Sequence, residues 1–187
     1  MPPDRQFYEP EGGTALDEGN EVFDVTAWRK NPIETIDTAH KKIHIGKAFL
    51  AFHNDSNLGN NSNINIYFET SATQKIHIHV AAHGKFDFDF DFLEEPTVTG
   101  GDAKTVQNRD RNSDNSTSLI NIKTNVVIAD DGLIIDQDFM GQGQKVGGDT
   151  VFDNEWVLKT NSSYCLRFTS LANSNRAHIK LNWYEPS

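Results

Sequence analysis

Two histidines and two aspartates are the residues whose spacing first suggests chemistry. His77 and His79 flank Ile78, and further along the chain Asp89 and Asp91 alternate with phenylalanines. Residues two apart on a β-strand share a face and lie about 7 Å apart, so two imidazoles in this arrangement suit a transition metal. Carboxylates on a neighbouring strand would complete a His/carboxylate set.

The segment between these pairs predicts a β-hairpin with the three-residue loop His83-Gly84-Lys85, in which Gly84 can take a positive φ. This register places apolar residues opposite apolar residues, whereas a slip of one residue would exchange the faces. The predicted pairs are Val80–Phe88, Ile78–Phe90, Ile76–Phe92, His79–Asp89 and His77–Asp91.

The polar face of this hairpin is interpreted as a solvated surface with cross-strand His–Asp pairs, holding no metal and no cofactor. The His-x-His element is similar to that of cupins, but Ala81, Ala82 and His83 stand where the cupin pattern has its glutamate. A metal-dependent cupin-type enzyme is therefore only a third hypothesis. No Gly-x-Ser-x-Gly elbow occurs, and Cys165 lies in an apolar strand-like run, where a buried, unreactive thiol is expected. We predict that the protein is not an enzyme.

Composition and charge limit the classes of molecule that the protein is expected to bind. The chain has 187 residues with 17 Lys+Arg and 27 Asp+Glu, a formal net charge of −10, which disfavours nucleic acid and anionic membranes as partners. No apolar run approaches the roughly 20 residues of a membrane span, and the first residues lack the apolar core of a signal peptide. One cysteine excludes an internal disulfide. We expect synthesis in a reducing compartment.

Residues 1–38 differ from the rest and are predicted to form an acidic N-terminal arm. They contain nine acidic and three basic residues, so they carry −6 of the total charge of −10. Their prolines and glycines disfavour a long helix or strand. Large aromatic groups indicate that the arm orders against another surface. The predicted anchors to a capsid or a neighbouring copy are Phe7, Tyr8, Phe23 and Trp28. The alternative is a flexible leader whose aromatic residues fold back on their own domain.

Residues 39–187 show the period-two alternation of half-buried antiparallel strands. The first strand is expected to run from Lys42 to Phe52, and an asparagine-rich turn is expected at 54–61. Roughly nine strands at short spacing predict an all-β domain, either a β-sandwich or a closed barrel.

The order of several short motifs resembles a family of small virion proteins of tailed bacteriophages. The motifs are Leu93 to Gly101, which contains Glu-x-Pro-Thr-Val-Thr, Asn108 to Ser113, Glu155 to Tyr164, Phe168 to Ser170, Asn173 to Arg176, and the closing Leu181 to Glu185. The resemblance covers residues 40–186 and leaves out the acidic arm. It implies a capsid decoration (cement) protein with a jelly-roll-like antiparallel β-sandwich, commonly assembled as a trimer on the outer surface of the head.

This resemblance implies two partners, the major capsid protein and the protein itself as a homotrimer, in a virion assembled in a bacterial cytoplasm. Arg109 and Arg111, in the Asn108–Ser118 loop, are predicted to reach carboxylates on a neighbour; the alternative is a solvated turn with local Asp–Arg pairing. Two other functions stay open. One is the base of a head fibre, and the other is a module that binds host glycans, with Trp156, Trp183 and Tyr184 as a stacking platform.

Overall fold

The computed structural model describes residues 15–16, 22–23, 38–114, 117–140, 148–151 and 155–186. The chain divides into two compact units, Met1–Ile36 and Asp37–Ser187. In the first unit, β1 (Ala15–Leu16) and β2 (Val22–Phe23) form a two-stranded antiparallel sheet. Of the predicted arm anchors, Phe7, Tyr8 and Trp28 lie outside the described residues, and Phe23 falls in β2.

The second unit is a β-sandwich of two antiparallel sheets, so the prediction of an all-β antiparallel sandwich is confirmed. Its elements are α1 (Thr38–His44), β3 (Ala48–Leu58), β4 (Asn63–Glu69), β5 (His77–Gly84), β6 (Phe88–Glu94), β7 (Thr97–Lys104), β8 (Gln107–Asn108), β9 (Asn121–Asp130), β10 (Leu133–Met140), β11 (Gly148–Val151), β12 (Trp156–Val157), β13 (Ser163–Ser170) and β14 (Asn175–Tyr184). The first sheet has the strand order β10-β6-β13-β4-β9-β7, and the second β11-β5-β14-β3-β8, with β12 also paired to β5.

The short helix α1 replaces the start of the strand predicted from Lys42. The helix ends in a Schellman motif: the Gly46 amide donates to Ile43 O at 2.9 Å and the Lys47 amide to Lys42 O at 2.9 Å, with Gly46 at φ 68°. Ile43 and Ile45 therefore lie at the end of a helix and not in a strand, and β3 begins only at Ala48.

The predicted turn at 54–61 is also corrected, because β3 continues through Leu58. The chain reverses in the four residues Gly59 to Ser62, where the Ser62 amide donates to Gly59 O at 3.1 Å and Asn61 takes φ 58°. Asparagine tolerates this left-handed conformation better than most residues do, which suits it to position 61.

The predicted hairpin between β5 and β6 is wrong, because the two strands lie in different sheets. β5 pairs with β14, and β6 pairs with β13 and β10. Both apolar rows are buried in one core, where they lie on opposite sheets and not across one ladder. Gly84 does not form a hairpin turn; a Cβ there would lie 2.4 Å from the Phe88 ring. Gly84 therefore permits a close approach between the two layers.

The core between the sheets is rich in aromatic residues. The Phe88 and Phe168 rings stack with centroids 4.1 Å apart, and Phe49 stacks on Trp183 at 5.8 Å. The residues that are completely or almost completely buried include Phe49, Ile66, Phe68, Ile76, Ile78, Phe88, Phe90, Phe92, Tyr164, Leu166, Phe168, Ile179, Leu181 and Trp183. Burying each such side chain contributes about 1.5–3 kcal/mol, which makes this layer the main source of stability.

A long two-stranded ribbon supplies four of the six strands of the first sheet. β6 continues into β7 and β9 into β10, and the register passes from Glu94↔Leu133 to Thr97↔Asp130 across a corner. Gly132 lies in that corner at φ 65°, where a Cβ would come within 2.4 Å of Glu94 O. The corner lets one ribbon pair with β13 through β6 and with β4 through β9.

The β9 half of the ribbon is held by Asn65 on β4. The Asn65 amide group donates to Val126 O at 2.9 Å, and its oxygen accepts from the Val126 amide at 3.0 Å, so the side chain acts as a strand partner. A second small apolar cluster forms here, separate from the main core. It contains Tyr67, Leu93, Val126 and Cys165, with Val98 and Ile128 packed against them.

Candidate functional site

The predicted His/Asp set is split between the two sheets. His77 and His79 lie on β5, opposite Tyr184 and Asn182 of β14, whereas Asp89 and Asp91 lie on β6 in the other sheet. The cross-strand His–Asp pairs therefore do not form. Within the described part of the chain, no group of three or more His, Cys, Asp or Glu side chains is arranged to hold a metal ion.

Asp91 takes part instead in an ion-pair network around Arg167 on β13. The Arg167 Nε–H donates to Asp91 Oδ2 at 2.9 Å, and its two terminal nitrogens donate to Asp131 at 2.6 and 2.9 Å. Gln137 adds a bond from Nε2 to Asp91 Oδ1 at 2.6 Å. Arg167 thus connects β13, β6 and the ribbon corner at Asp131, which is a structural role. The bonds to Asp131 and Asp91 also raise the pKa of Arg167.

On the second sheet, His77, Glu155 and Tyr184 form a surface cluster. The His77 and Tyr184 rings stack at 4.9 Å, His77 Nδ1 lies 2.5 Å from Glu155 Oε1, and the Tyr184 hydroxyl donates to the same oxygen. The Tyr184 bond, followed by the His77 bond, lowers the pKa of Glu155. Oε1 of this carboxylate already accepts two bonds and the side chain is 38 % exposed, which fits a surface contact better than an acid or base in catalysis.

Basic side chains gather at the other end of the same sheet. His83 on β5 faces His178 on β14 with ring centroids 5.6 Å apart, and they line an open concavity with Lys85, Arg176 and Asp55. Burial, followed by the charges of His83 and Lys180, lowers the pKa of His178. Lys85 and Arg176 outnumber the single carboxylate of the lining, Asp55, so this concavity is a local cationic surface in a chain of net charge −10.

The predicted interface loop follows β8. Its backbone is fixed, because the Arg109 amide donates to Ala48 O at 2.8 Å, while both arginine side chains are exposed. Arg111 Nη1 donates to Gln107 Oε1 at 3.2 Å. The structure thus presents both guanidinium groups at the surface, and the local partner shown for Arg111 is a glutamine and not an aspartate.

The proposed sugar-stacking platform is not assembled. Trp183 is 1 % exposed and packs in the core, and Trp156 meets the Phe92 ring edge to face at 5.6 Å. Tyr184 lies on the outer side of β14, stacked on His77. The three rings therefore do not share one exposed plane.

Several residues of the motifs that carry the family resemblance join in polar networks inside the fold. Glu94 accepts from Lys159 Nζ at 2.6 Å and from the Tyr164 hydroxyl at 3.1 Å, which unites the first and third motifs. Glu185, which is fully buried, accepts from Ser118 Oγ and the Leu119 amide at 2.8 and 2.7 Å. Sequence reasoning missed these roles; the one signal was the carboxylate of Glu185 directly after Trp183 and Tyr184.

Strand β10 exposes apolar side chains that a solvated strand would not need. It lies at one edge of the first sheet, with β7 at the opposite edge, in the part of the chain that the structure describes. Leu133, Ile134 and Phe139 are 59 %, 44 % and 65 % exposed. Proteins normally protect sheet edges with charge or a covering segment. β10 carries the charges of Asp136 and Asp138, but it also leaves these three large apolar side chains exposed, which is unusual for an edge strand.

Neither Cys165 nor a membrane helix offers another function. Burial raises the pKa of the Cys165 thiol to about 12, so it is neutral and unreactive at physiological pH. Among the described residues, no helix combines the length and the apolar character that a membrane crossing requires. No protein-family model, curated protein or solved structure matches this chain.

Proposed function

We propose that this protein is a non-enzymatic structural component of a phage virion, which decorates and stabilises the capsid by binding the major capsid protein and other copies of itself. The observation that carries the proposal is the apolar edge of β10, with Phe139 65 % exposed at a sheet boundary. The order of motifs similar to that of capsid decoration proteins supports the same class. In this role the protein sits on the outer surface of the head as a jelly-roll-like trimer and needs no cofactor.

The β10 edge is assigned to the capsid protein and not to a second copy of β10. A two-fold pairing centred on this strand would bring Asp136 and Asp138 of both copies together, and like charges facing each other destabilise a sheet. Burial already raises the pKa of Asp136, and the charge of Asp138 adds to that increase. A neutral or basic strand or loop of the capsid protein avoids this repulsion.

Contacts of the protein with itself are assigned to the cationic surface around His178 and to the Arg109–Arg111 loop. Both present positive groups, and the chain carries its excess of carboxylates elsewhere, most densely in residues 1–38. An arginine guanidinium group can donate two parallel hydrogen bonds to one carboxylate, so these surfaces fit acidic segments of neighbouring copies. In this role the aromatic residues of the arm act as anchors in pockets of a neighbour.

Binding to purified phage heads that lack the protein tests the capsid contact. Phe139→Asp should abolish or strongly reduce saturable, high-copy binding, since burying a phenylalanine contributes about 1.5–3 kcal/mol per contact. Val127→Asp is the matched control, because Val127 is 64 % exposed on β9. Equal binding by both variants would refute the role of β10.

Two further measurements separate the proposal from its alternatives. The solution mass distinguishes a monomer from a trimer, and deletion of residues 1–36, which form a separate unit, tests the arm. Hundreds of copies per particle and slower heat-induced opening of the head support decoration. A few copies at one vertex would favour a fibre base, and binding to a glycan array without binding to heads would favour the glycan module.

A further inference from the structure

Helix α1 carries two histidines in direct contact. His40 and His44 are one helical turn apart and both are exposed. Their Nε2 atoms lie 2.8 Å apart, with ring centroids 4.7 Å from each other. Of these two nitrogens one must carry a proton and the other a lone pair, because two bare lone pairs or two N–H groups would repel.

We propose that His40 and His44 form a two-nitrogen chelate for a divalent first-row transition metal, with Cu²⁺ as the preferred ion. When the donating ring moves its proton from Nε2 to Nδ1, both rings stay neutral and two lone pairs point into one space. A metal ion then replaces the shared proton. Water, or a side chain of a partner, fills the remaining coordination positions.

The separation of the two nitrogens favours Cu²⁺ and Ni²⁺ over Zn²⁺. Metal–nitrogen bonds of about 2.0–2.1 Å at a right angle place the two nitrogens about 2.9 Å apart, whereas a tetrahedral angle places them about 3.3 Å apart. The N–H···N bond of the metal-free pair already holds the two nitrogens 2.8 Å apart, close to the right-angle value, so tetragonal or octahedral coordination needs the smaller movement of the two rings. The general order of stability of divalent ions also places Cu²⁺ above its neighbours.

The surroundings permit the chelate. Lys41 and Lys42 are on the same helix, but Lys41 is exposed and ammonium groups on long stems in water repel a bound cation weakly and are screened by salt. The Schellman end at Gly46 holds the last helical turn, so the position of His44 is fixed before metal binds. The site therefore needs no rearrangement of the backbone.

Titration of the full-length protein with Cu²⁺, followed by calorimetry and by electron paramagnetic resonance, tests the site. His40→Gln and His44→Gln are the test variants, since glutamine is a better helix former than histidine and should preserve α1. His178→Gln is the matched control, because His178 and His83 are also neighbouring histidines, but with ring centroids 5.6 Å apart on a sheet.

The expected result is one Cu²⁺ per chain with a spectrum of imidazole nitrogen ligands. Each test variant should lose at least tenfold in affinity, while the control should stay within twofold of the wild type. Ni²⁺ should bind more tightly than Zn²⁺. Unchanged affinity in both test variants would overturn the proposal, and so would an equal loss in the control. Far-UV circular dichroism of the variants checks that the fold is intact.

Discussion

Replacing Arg167 with methionine removes the cation that connects three parts of the first sheet. The Arg167 side chain is 19 % exposed, and its partner Asp91 is 5 % exposed, so this ion pair is largely shielded from water. In the variant, Asp91 keeps the bond from Gln137 but loses its counter-charge. A buried carboxylate without a cation is one of the most destabilising arrangements in a folded protein.

Breaking a buried ion pair by removing one partner costs about 3–5 kcal/mol. Domains of this kind unfold with a total of about 5–15 kcal/mol, so Arg167→Met should remain folded but lose a large share of its stability. Asp131→Asn serves as a comparison, because Asp131 is 42 % exposed and water can replace the lost charge. We expect it to cost less than about 1 kcal/mol.

Urea denaturation followed by tryptophan fluorescence measures these differences. With an m-value of about 2 kcal/mol/M, Arg167→Met should lower the midpoint by about 1.5–2.5 M. The double variant Asp91→Leu/Arg167→Met should recover most of the loss, since replacing a whole buried pair by apolar groups is often neutral. A loss below 1 kcal/mol in Arg167→Met, or a double variant no more stable than the single one, would refute this account of the network.

Three further predictions concern backbone strain, pH and thiol reactivity. In urea denaturation, Gly132→Ala should destabilise the protein by about 1–3 kcal/mol. The loss should be larger than for Gly100→Ala. Both glycines have a positive φ, but of these two only Gly132 has carbonyl oxygens within 3 Å of the new Cβ. Burial and the nearby charges of His83 and Lys180 lower the pKa of His178 below 6.5, so near that pH the unfolded chain binds more protons at this residue than the folded chain does. His178→Gln should therefore reduce the loss of stability as the pH falls through 6.5. An unchanged pH–stability profile would contradict this. Cys165 should react with a thiol reagent at pH 8 only on unfolding, since burial raises its pKa to about 12; rapid labelling of the native protein would show that the strand opens.

The residues of the core and the all-β class were predictable because burial follows local alternation. Ile76, Ile78 and Val80 are all buried, as their period of two indicated. The pairing of their strand was not predictable from the same pattern. An apolar row is buried equally well against a strand of its own sheet or against a strand across the core. The structure has the second arrangement, and Gly84 leaves room there for the Phe88 ring.

The polar networks were the part of the molecule least accessible to sequence reasoning. Arg167 and Asp131 are 36 residues apart in the chain, and Glu94 and Lys159 are 65 apart. Nothing in their local sequence relates one to the other. Only the corner of the ribbon, which turns β9 into β10, brings Asp131 over the β13 arginine.

What the amino-acid sequence determined by itself was the inward direction of the apolar rows in the strands, because that depends on the two-residue repeat of a strand and on nearby turn formers. The tertiary structure decided which strands became neighbours, and therefore which charges met and which apolar edge stayed exposed. Strand pairing joins residues distant in the chain through backbone hydrogen bonds that are the same for every side chain, so local sequence carries little information about it.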